Sequence, residues 1–333
     1  MNIAWKAGMA LSVVALAGCS SSSNNRDNDR FGIFEIGGAD AIIAEDASDT
    51  LESFLDDGTN EFRTLNASVF RDFNDGDAGT ALSDNAIVES ISSDGAGGFD
   101  VVYIVDGERR ELSFAADSYD SDDFAFVTDD RETFLFSYTD SFSGEDRNAA
   151  SSEFDYFDIN GFTAPADASG VRTRTLFVYG AETDRDALPS GSATYTGRIR
   201  ADAYDEEGDP ATSRARVRGA LSLTADFDEG EIGGSITNLT ADDDSGDLVG
   251  ERIDIVDGRI DGSGFRAELD GVGNSIEDGG IDELEGLMLG QFYGPGGEEV
   301  GGVLTATNPF ENGDGSRGRS IIQGAFGATR DGL

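Results

Sequence analysis

The last fifty residues limit the possible folds most tightly. They read ELEGLMLGQFYGPGGEEVGGVLTAT from Glu283, then an Asn/Gly/Asp-rich gap, then GRSIIQGAFGATR, ending at Arg330. In the first run Leu284, Gly286, Met288, Gly290 and Phe292 fall on one face. In the second Val300, Gly302, Leu304 and Ala306 do, and in the third Ile322, Gly324, Phe326 and Ala328. A period of two with apolar residues on one face predicts strands. Strands normally avoid glycine, so its recurrence on the apolar face predicts tight curvature or close approach of neighbouring side chains. Large residues alternating with Gly or Ala fit the crowded interior of a small closed barrel.

The same alternation continues upstream. Ala193, Tyr195, Gly197, Ile199 and Ala201 share one face; so do Ala215, Val217, Gly219, Leu221, Leu223, Ala225 and Phe227. Ile232, Gly234 and Ile236 follow, then Phe265, Ala267 and Leu269. Strands are predicted over 171–179, 191–204, 213–227, 231–239, 252–260, 264–269, 283–294, 298–306 and 318–330. Eight or nine strands joined by short turns predict an antiparallel up-and-down barrel, and eight close on an interior that side chains just fill.

Ahead of this half, residues 31–168 predict a β-rich N-terminal domain. FDVVYIV (99–105) and ERRELSF (108–114), joined by Asp106-Gly107, read as a hairpin. DFAFV (123–127) and TFLFSY (133–138) read as aromatic strands. Their rings, Phe124, Phe126, Phe134, Phe136 and Tyr138, serve either as a recognition surface or as packing for one sheet face. One short helix is predicted, with Asp49 as N-cap, Leu51, Phe54 and Leu55 on its apolar face and Gly58 as stop. NGFTAPADASG (160–170) reads as the boundary, with the barrel domain spanning 171–333. The fold class is thus all-β.

Residues 1–19, MNIAWKAGMALSVVALAGC, read as an export signal with Lys6 in its n-region. It is too short to span a membrane. Leu16-Ala17-Gly18-Cys19 matches a bacterial lipobox, which predicts acylation of Cys19 and anchoring in a bilayer. Ser20, where Asp is absent, points to the outer membrane by analogy with other lipoproteins. Residues 20–30, SSSSNNRDNDR, read as a flexible tether.

Charge and residue absences exclude whole function classes. With 67 acidic and 23 basic residues the net charge is −44, which argues against nucleic acid as a partner. A docking face for a basic partner and simple solubility both follow from it; the even spread of acidic residues favours solubility. There is no histidine, and Cys19 is the only cysteine. Ser-His and Cys-His nucleophiles, histidine-ligated zinc or haem iron, thiolate clusters and intramolecular disulfides are therefore ruled out. No cofactor and no metal site is predicted. The acidic clusters at 72–77, 242–247 and 311–315 lack the EF-hand ligand order and read as solvated loops. Arg198, Arg200, Arg214, Arg216 and Arg218 line the outward face of two neighbouring strands. They offer a candidate ligand-binding patch for an acidic group, or they pair with carboxylates such as Asp202 and Asp226.

GQFYGPGGEEVGGVL and GAFGATR resemble the C-terminal barrel signature of the transferrin-binding protein B-like family of bacterial surface lipoproteins. The resemblance rests on Gly290, Phe292, Tyr293, Gly294, Pro295, Glu299, Gly301, Gly302, Phe326, Gly327, Ala328 and Arg330, with Thr329 displacing the closing basic residue by one. LPSGSATYTG and GALSLTADFDEGEIGGSI resemble the family's early barrel strands, so the resemblance covers roughly 171–330. It implies a non-enzymatic binding protein that captures an iron-carrying protein or haem-related ligand and passes it to an outer-membrane transporter, with display at the cell surface. Two other readings stand beside it: a structural envelope lipoprotein without a specific ligand, and a hydrolase using Asp and Glu alone.

Overall fold

A computed structural model describes residues 34–36, 41–58, 60–72, 86–105, 107–120, 125–128, 133–137, 154–165, 171–205, 214–241, 248–272, 284–311 and 317–333. Cys19, the tether, Phe124 and Tyr138 lie outside them, as do the acidic clusters apart from the strand ends Asp72 and Glu311. The first region contains β1 (Phe34–Ile36), β2 (Ile43–Ala44), α1 (Leu51–Asp57), β3 (Glu61–Arg63), β4 (Leu65–Asp72), β5 (Ala86–Ser93), β6 (Phe99–Val105), β7 (Glu108–Phe114), β8 (Tyr119–Asp120), β9 (Ala125–Val127), β10 (Phe134–Ser137), β11 (Phe157–Thr163), β12 (Val171–Gly180) and β13 (Glu182–Thr183). The second contains β14 (Ser192–Asp205), β15 (Arg214–Asp226), β16 (Glu231–Ala241), β17 (Leu248–Asp261), β18 (Gly264–Val272), β19 (Glu285–Tyr293), β20 (Glu299–Glu311) and β21 (Arg317–Arg330).

The eight strands β14 to β21 form a closed antiparallel barrel. Their order is β18-β17-β16-β15-β14-β21-β20-β19, and β18 pairs with β19 to seal it. The interior faces read from the sequence are the observed ones. Tyr195, Leu221, Leu223, Ile236, Met288, Phe292 and Phe326 are all fully buried within one core. Phe292 sits at its centre, with ring centroids 5.2 Å from Phe227, 5.7 Å from Tyr195 and 5.8 Å from Phe265. The barrel is filled by its own side chains, as an eight-stranded cylinder permits.

The strand at 171–180 corrects the sequence reading. It pairs with β4 and β11 and lies in a seven-stranded sheet ordered β1-β4-β12-β11-β10-β9-β8. The barrel therefore begins at Ser192, and of the nine predicted strands the other eight build it. The segment read as a boundary from its Gly and Pro also contains the end of β11, where Asn160, Gly161 and Phe162 are buried. Gly161 is there because the Phe136 ring lies against it: a β-carbon at that position would sit 2.7 Å from Cε1 of Phe136.

The central strands β11 and β12 of the seven-stranded sheet are buried on both faces. Phe157, Ile159, Leu176 and Val178 point to the barrel wall and meet Tyr293, Val303 and Ala325. Phe162, Phe177 and Tyr179 point the other way, onto Phe62, Val88, Ile91, Val101 and Phe114 of a four-stranded sheet ordered β3-β5-β6-β7. The result is three layers, with alternate residues of β11 and β12 feeding two different cores. Asn66 stitches the two sheets together, donating to the carbonyl of Val88 at 2.9 Å and accepting from its N–H at 3.1 Å.

The predicted hairpin of β6 and β7 is present, with Gly107 at φ 73° in its turn. The helix is present too, but its cap is Thr50, whose Oγ1 accepts from the N–H of Ser53 at 3.3 Å. Asp49 instead closes the preceding turn, accepting from the N–H of Glu45 (2.8 Å) and Asp46 (3.1 Å). Phe126 packs against Phe99, Phe114 and Tyr119, and Phe136 joins the core facing the barrel; both rings serve packing.

Candidate functional site

Of the five arginines read from the sequence, Arg198, Arg200, Arg216 and Arg218 share the outer wall of β14 and β15. Arg200 stands opposite Arg218, Arg214 opposite Tyr204, and Arg216 opposite Asp202. They do not form one uniform surface. Arg198 and Arg216 are exposed, Arg218 is half-buried, and Arg200 is buried. Asp202 is fully buried and gathers two cations: Nη2 of Arg174 at 3.5 Å and Nε of Arg216 at 3.9 Å. Arg174 comes from β12 and lies over the Phe136 ring, 4.5 Å from its centroid. Asp202 is thus the expected partner of the arginines. Asp226 is not: it accepts from Ser192 Oγ at 3.2 Å and from the N–H of Glu229 at 3.1 Å.

Next to this face lies the seam between sheet and barrel, which sequence reasoning did not find. Three rings stack along it. Phe154 and Phe157 lie 4.2 Å apart at 22°, and Phe157 and Tyr293 4.9 Å apart at 24°. They rest on glycines of the wall: a β-carbon at Gly301 would lie 2.7 Å from Cδ2 of Phe157, and one at Gly327 3.0 Å from its Cζ. Two buried carboxylates frame the stack. Glu182 on β13, opposite Tyr293, makes a two-pronged ion pair with Arg63 on β3. Burial pushes its carboxyl above the usual range and the Arg63 guanidinium opposes that. Glu299 accepts from the N–H of Asp155 at 2.8 Å and of Tyr156 at 3.0 Å. Burial pushes it up to about 7, against those two hydrogen bonds, while the charges of Asp155 and Glu298 add to the rise.

The turn between β19 and β20 ties these parts together. Gly294 and Gly297 take positive φ, 84° and 67°. Gly294 donates its N–H to the carbonyl of Ala181 (3.0 Å), and its own carbonyl accepts from Thr183 Oγ1 (2.6 Å). Tyr195 donates its hydroxyl to the carbonyl of Gly297 at 2.8 Å. Arg330 donates to that of Gly296 at 2.7 Å. Of these, Tyr293, Gly294, Glu299, Gly301, Gly327 and Arg330 could be picked from the sequence only as signature residues. The Arg63–Glu182 pair joins positions 119 apart and leaves no local trace. Among the described residues no group of three or more Cys, Asp or Glu is placed to hold a metal ion.

Fold and site together define a β-barrel lobe with an antiparallel sheet docked on its wall. Residues 188–330 match the family model described as the C-lobe and N-lobe beta barrels of Tf-binding protein B. Over these residues the chain's C-terminal barrel is similar to the barrels of this transferrin-binding protein B-like family. Among solved structures, transferrin binding protein B of Haemophilus parasuis is similar at 19% identity over 80% of this chain and 44% of its own, with a TM-score of 0.38. The Neisseria meningitidis transferrin binding protein B has 13% identity over 81% of this chain and 65% of its own, TM-score 0.39. The N-lobe domain of lactoferrin binding protein B of Moraxella bovis has 13% identity over 64% of this chain and 95% of its own, TM-score 0.32. The chain therefore spans less than half the length of the Haemophilus parasuis protein. No curated protein matches it.

Proposed function

We propose that the protein is a lipid-anchored outer-membrane binding protein, held by acylated Cys19 and displayed at the cell surface, that captures a partner protein for uptake. The observation that carries this reading is a barrel of the transferrin-binding protein B type whose interior is occupied by Phe265, Phe292 and Phe326. An eight-stranded barrel packed in this way leaves no volume for a haem-sized ligand, so recognition falls to the outer wall and the loops. An iron-carrying protein is the partner class that the names of similar proteins suggest, with an outer-membrane transporter as the recipient. The net charge of −44 suits a basic partner through long-range attraction. On the arginine face, Arg198 and Arg216 are the exposed candidates for contact with an acidic group of such a partner.

The test combines two measurements. Protease applied to intact cells should degrade the protein, and Cys19→Ala should release it from the membrane fraction. Pull-down from outer-membrane extracts supplemented with iron-carrier proteins should then retain a carrier or a transporter. Protection from protease in intact cells, together with no retained partner, would overturn the reading. The even scatter of carboxylates favours a second reading, an envelope lipoprotein without a ligand. It expects a deletion strain with a leaky envelope and unaltered iron uptake.

A further inference from the structure

The seam holds two buried carboxylates in opposite company. Glu182 faces a guanidinium. Glu299, only 5% exposed, faces two backbone N–H groups and an apolar stack. The ionisable groups facing it from each neighbouring element are mostly acidic. Asp155 sits beside the donors, ahead of β11. Glu298 is on the same turn, its carboxylate accepting from the N–H of Gly296 at 2.7 Å. Asp46, on the turn before α1, adds its charge at Tyr156. The Tyr156 phenol is itself kept neutral by burial and by these carboxylates. The cation on the adjoining β21, Arg330, is engaged with the carbonyl of Gly296.

We infer that the joint between sheet and barrel is proton-linked: a proton taken up by the Glu299 carboxyl tightens the sheet on the barrel, and its release loosens it. A lone carboxylate that two elements bury between them costs desolvation, and the acidic neighbours add repulsion. Opening the joint returns that carboxylate to water, where it ionises at its ordinary value. The closed joint holds its proton up to about pH 7, against 4.5 for the free side chain. A raised native value means that this contribution is complete below the free value and fades as pH climbs towards 7. The ratio of the two proton affinities is on the order of 10²-fold, and it is the factor by which deprotonation weakens closure. Glu182 is shifted in the same direction by burial, but there the Arg63 guanidinium opposes the rise.

Hydrogen exchange at the amides of Asp155 and Tyr156, followed in the full chain between pH 5 and 8, tests the link. After correction for intrinsic exchange, wild-type protection should fall by on the order of 10²-fold across that range. In Glu299→Gln, which stays neutral and keeps one acceptor, protection should remain flat. Parallel curves for the two proteins would overturn the proposal. Carboxyl carbon NMR of the unaltered protein gives a reading independent of any variant: a midpoint for Glu299 near 7 is expected, and one at an ordinary carboxylate value would overturn it. Glu298→Gln, by removing a like charge, should lower that midpoint.

Discussion

Phe265 and Phe326 meet inside the barrel, ring centroids 6.1 Å apart at 45°, although two strands of the wall stand between them. The register explains how. Phe265 stands opposite Gly290, Gly290 opposite Gly302, and Gly302 opposite Phe326. The two glycines give up the space that the rings fill: a β-carbon on Gly290 would lie 2.9 Å from Cζ of Phe326. Alternation of glycine and large apolar residues along each strand is the sequence image of that lateral row.

Gly302→Val should therefore overpack the barrel and cost about 1–3 kcal/mol in urea unfolding. Phe326→Ala should cost about 3–5 kcal/mol by leaving a cavity. Because the two positions share one volume, the double variant should cost less than the sum by more than ~0.5 kcal/mol. Strict additivity would mean that the ring and the glycine do not compete for the same space.

Gly301 faces the opposite way, under Phe157. Gly301→Val should lift that ring and weaken the seam by roughly 1–3 kcal/mol while leaving the interior packing alone. Limited proteolysis should then cut the first region sooner, with a barrel fragment near residues 188–330 persisting. Equal loss of protection in both halves would contradict a seam-specific effect.

The adjacent glycines show what was legible in the sequence and what was not. Gly302, on the apolar face of a period-two run, declared itself as an interior residue. Gly301, Gln291, Thr305, Thr307 and Gln323 alternate with the interior and look solvent-facing, yet all are buried, Gly301 under Phe157 and Gln323 against the carbonyl of Arg174. Periodicity identifies the two faces of a strand; it does not say what covers the second. The same limit misplaced 171–180, whose pattern fits a strand in either sheet and whose partners are set by tertiary register. The helix was found from Leu51, Phe54 and Leu55, but its cap was read one residue early, at Asp49, because the turn that occupies Asp49 and leaves the cap to Thr50 has no local signature. The arginine face was legible as a face. That Arg200 is buried and that Asp202 is shared with Arg174 depend on β12 crossing the wall.

Asp202 has no exposed surface and takes cations from two layers, so its removal should be felt in both. Asp202→Asn leaves Arg174, whose side chain is 19% exposed, without its carboxylate. Breaking a buried pair from one side costs ~3–5 kcal/mol; exposure of Arg216 should bring the loss to the lower end of that range. Calorimetry of the variant at pH 7 provides the check. A loss below ~1 kcal/mol would class the pair with surface ion pairs, which contribute little.

Alkaline titration of the phenols offers the last test. Burial raises Tyr179, Tyr195 and Tyr293 above the ordinary value of 10.0, and the charge of Asp158 adds to the rise at Tyr179, that of Glu182 at Tyr293. A raised native value on a group that ionises to an anion stabilises the fold up to the unfolded value and loses that contribution as pH rises beyond it. Stability should thus be indifferent to these three phenols below about pH 10 and fall steeply above it. Ultraviolet titration of the folded protein should show fewer than the eight tyrosines of the chain ionising reversibly near pH 10. The remainder should appear in one cooperative step that coincides with loss of the β signal in circular dichroism. If all eight ionised together before that loss, the phenols inside the barrel and both sheet cores would have to be in contact with water.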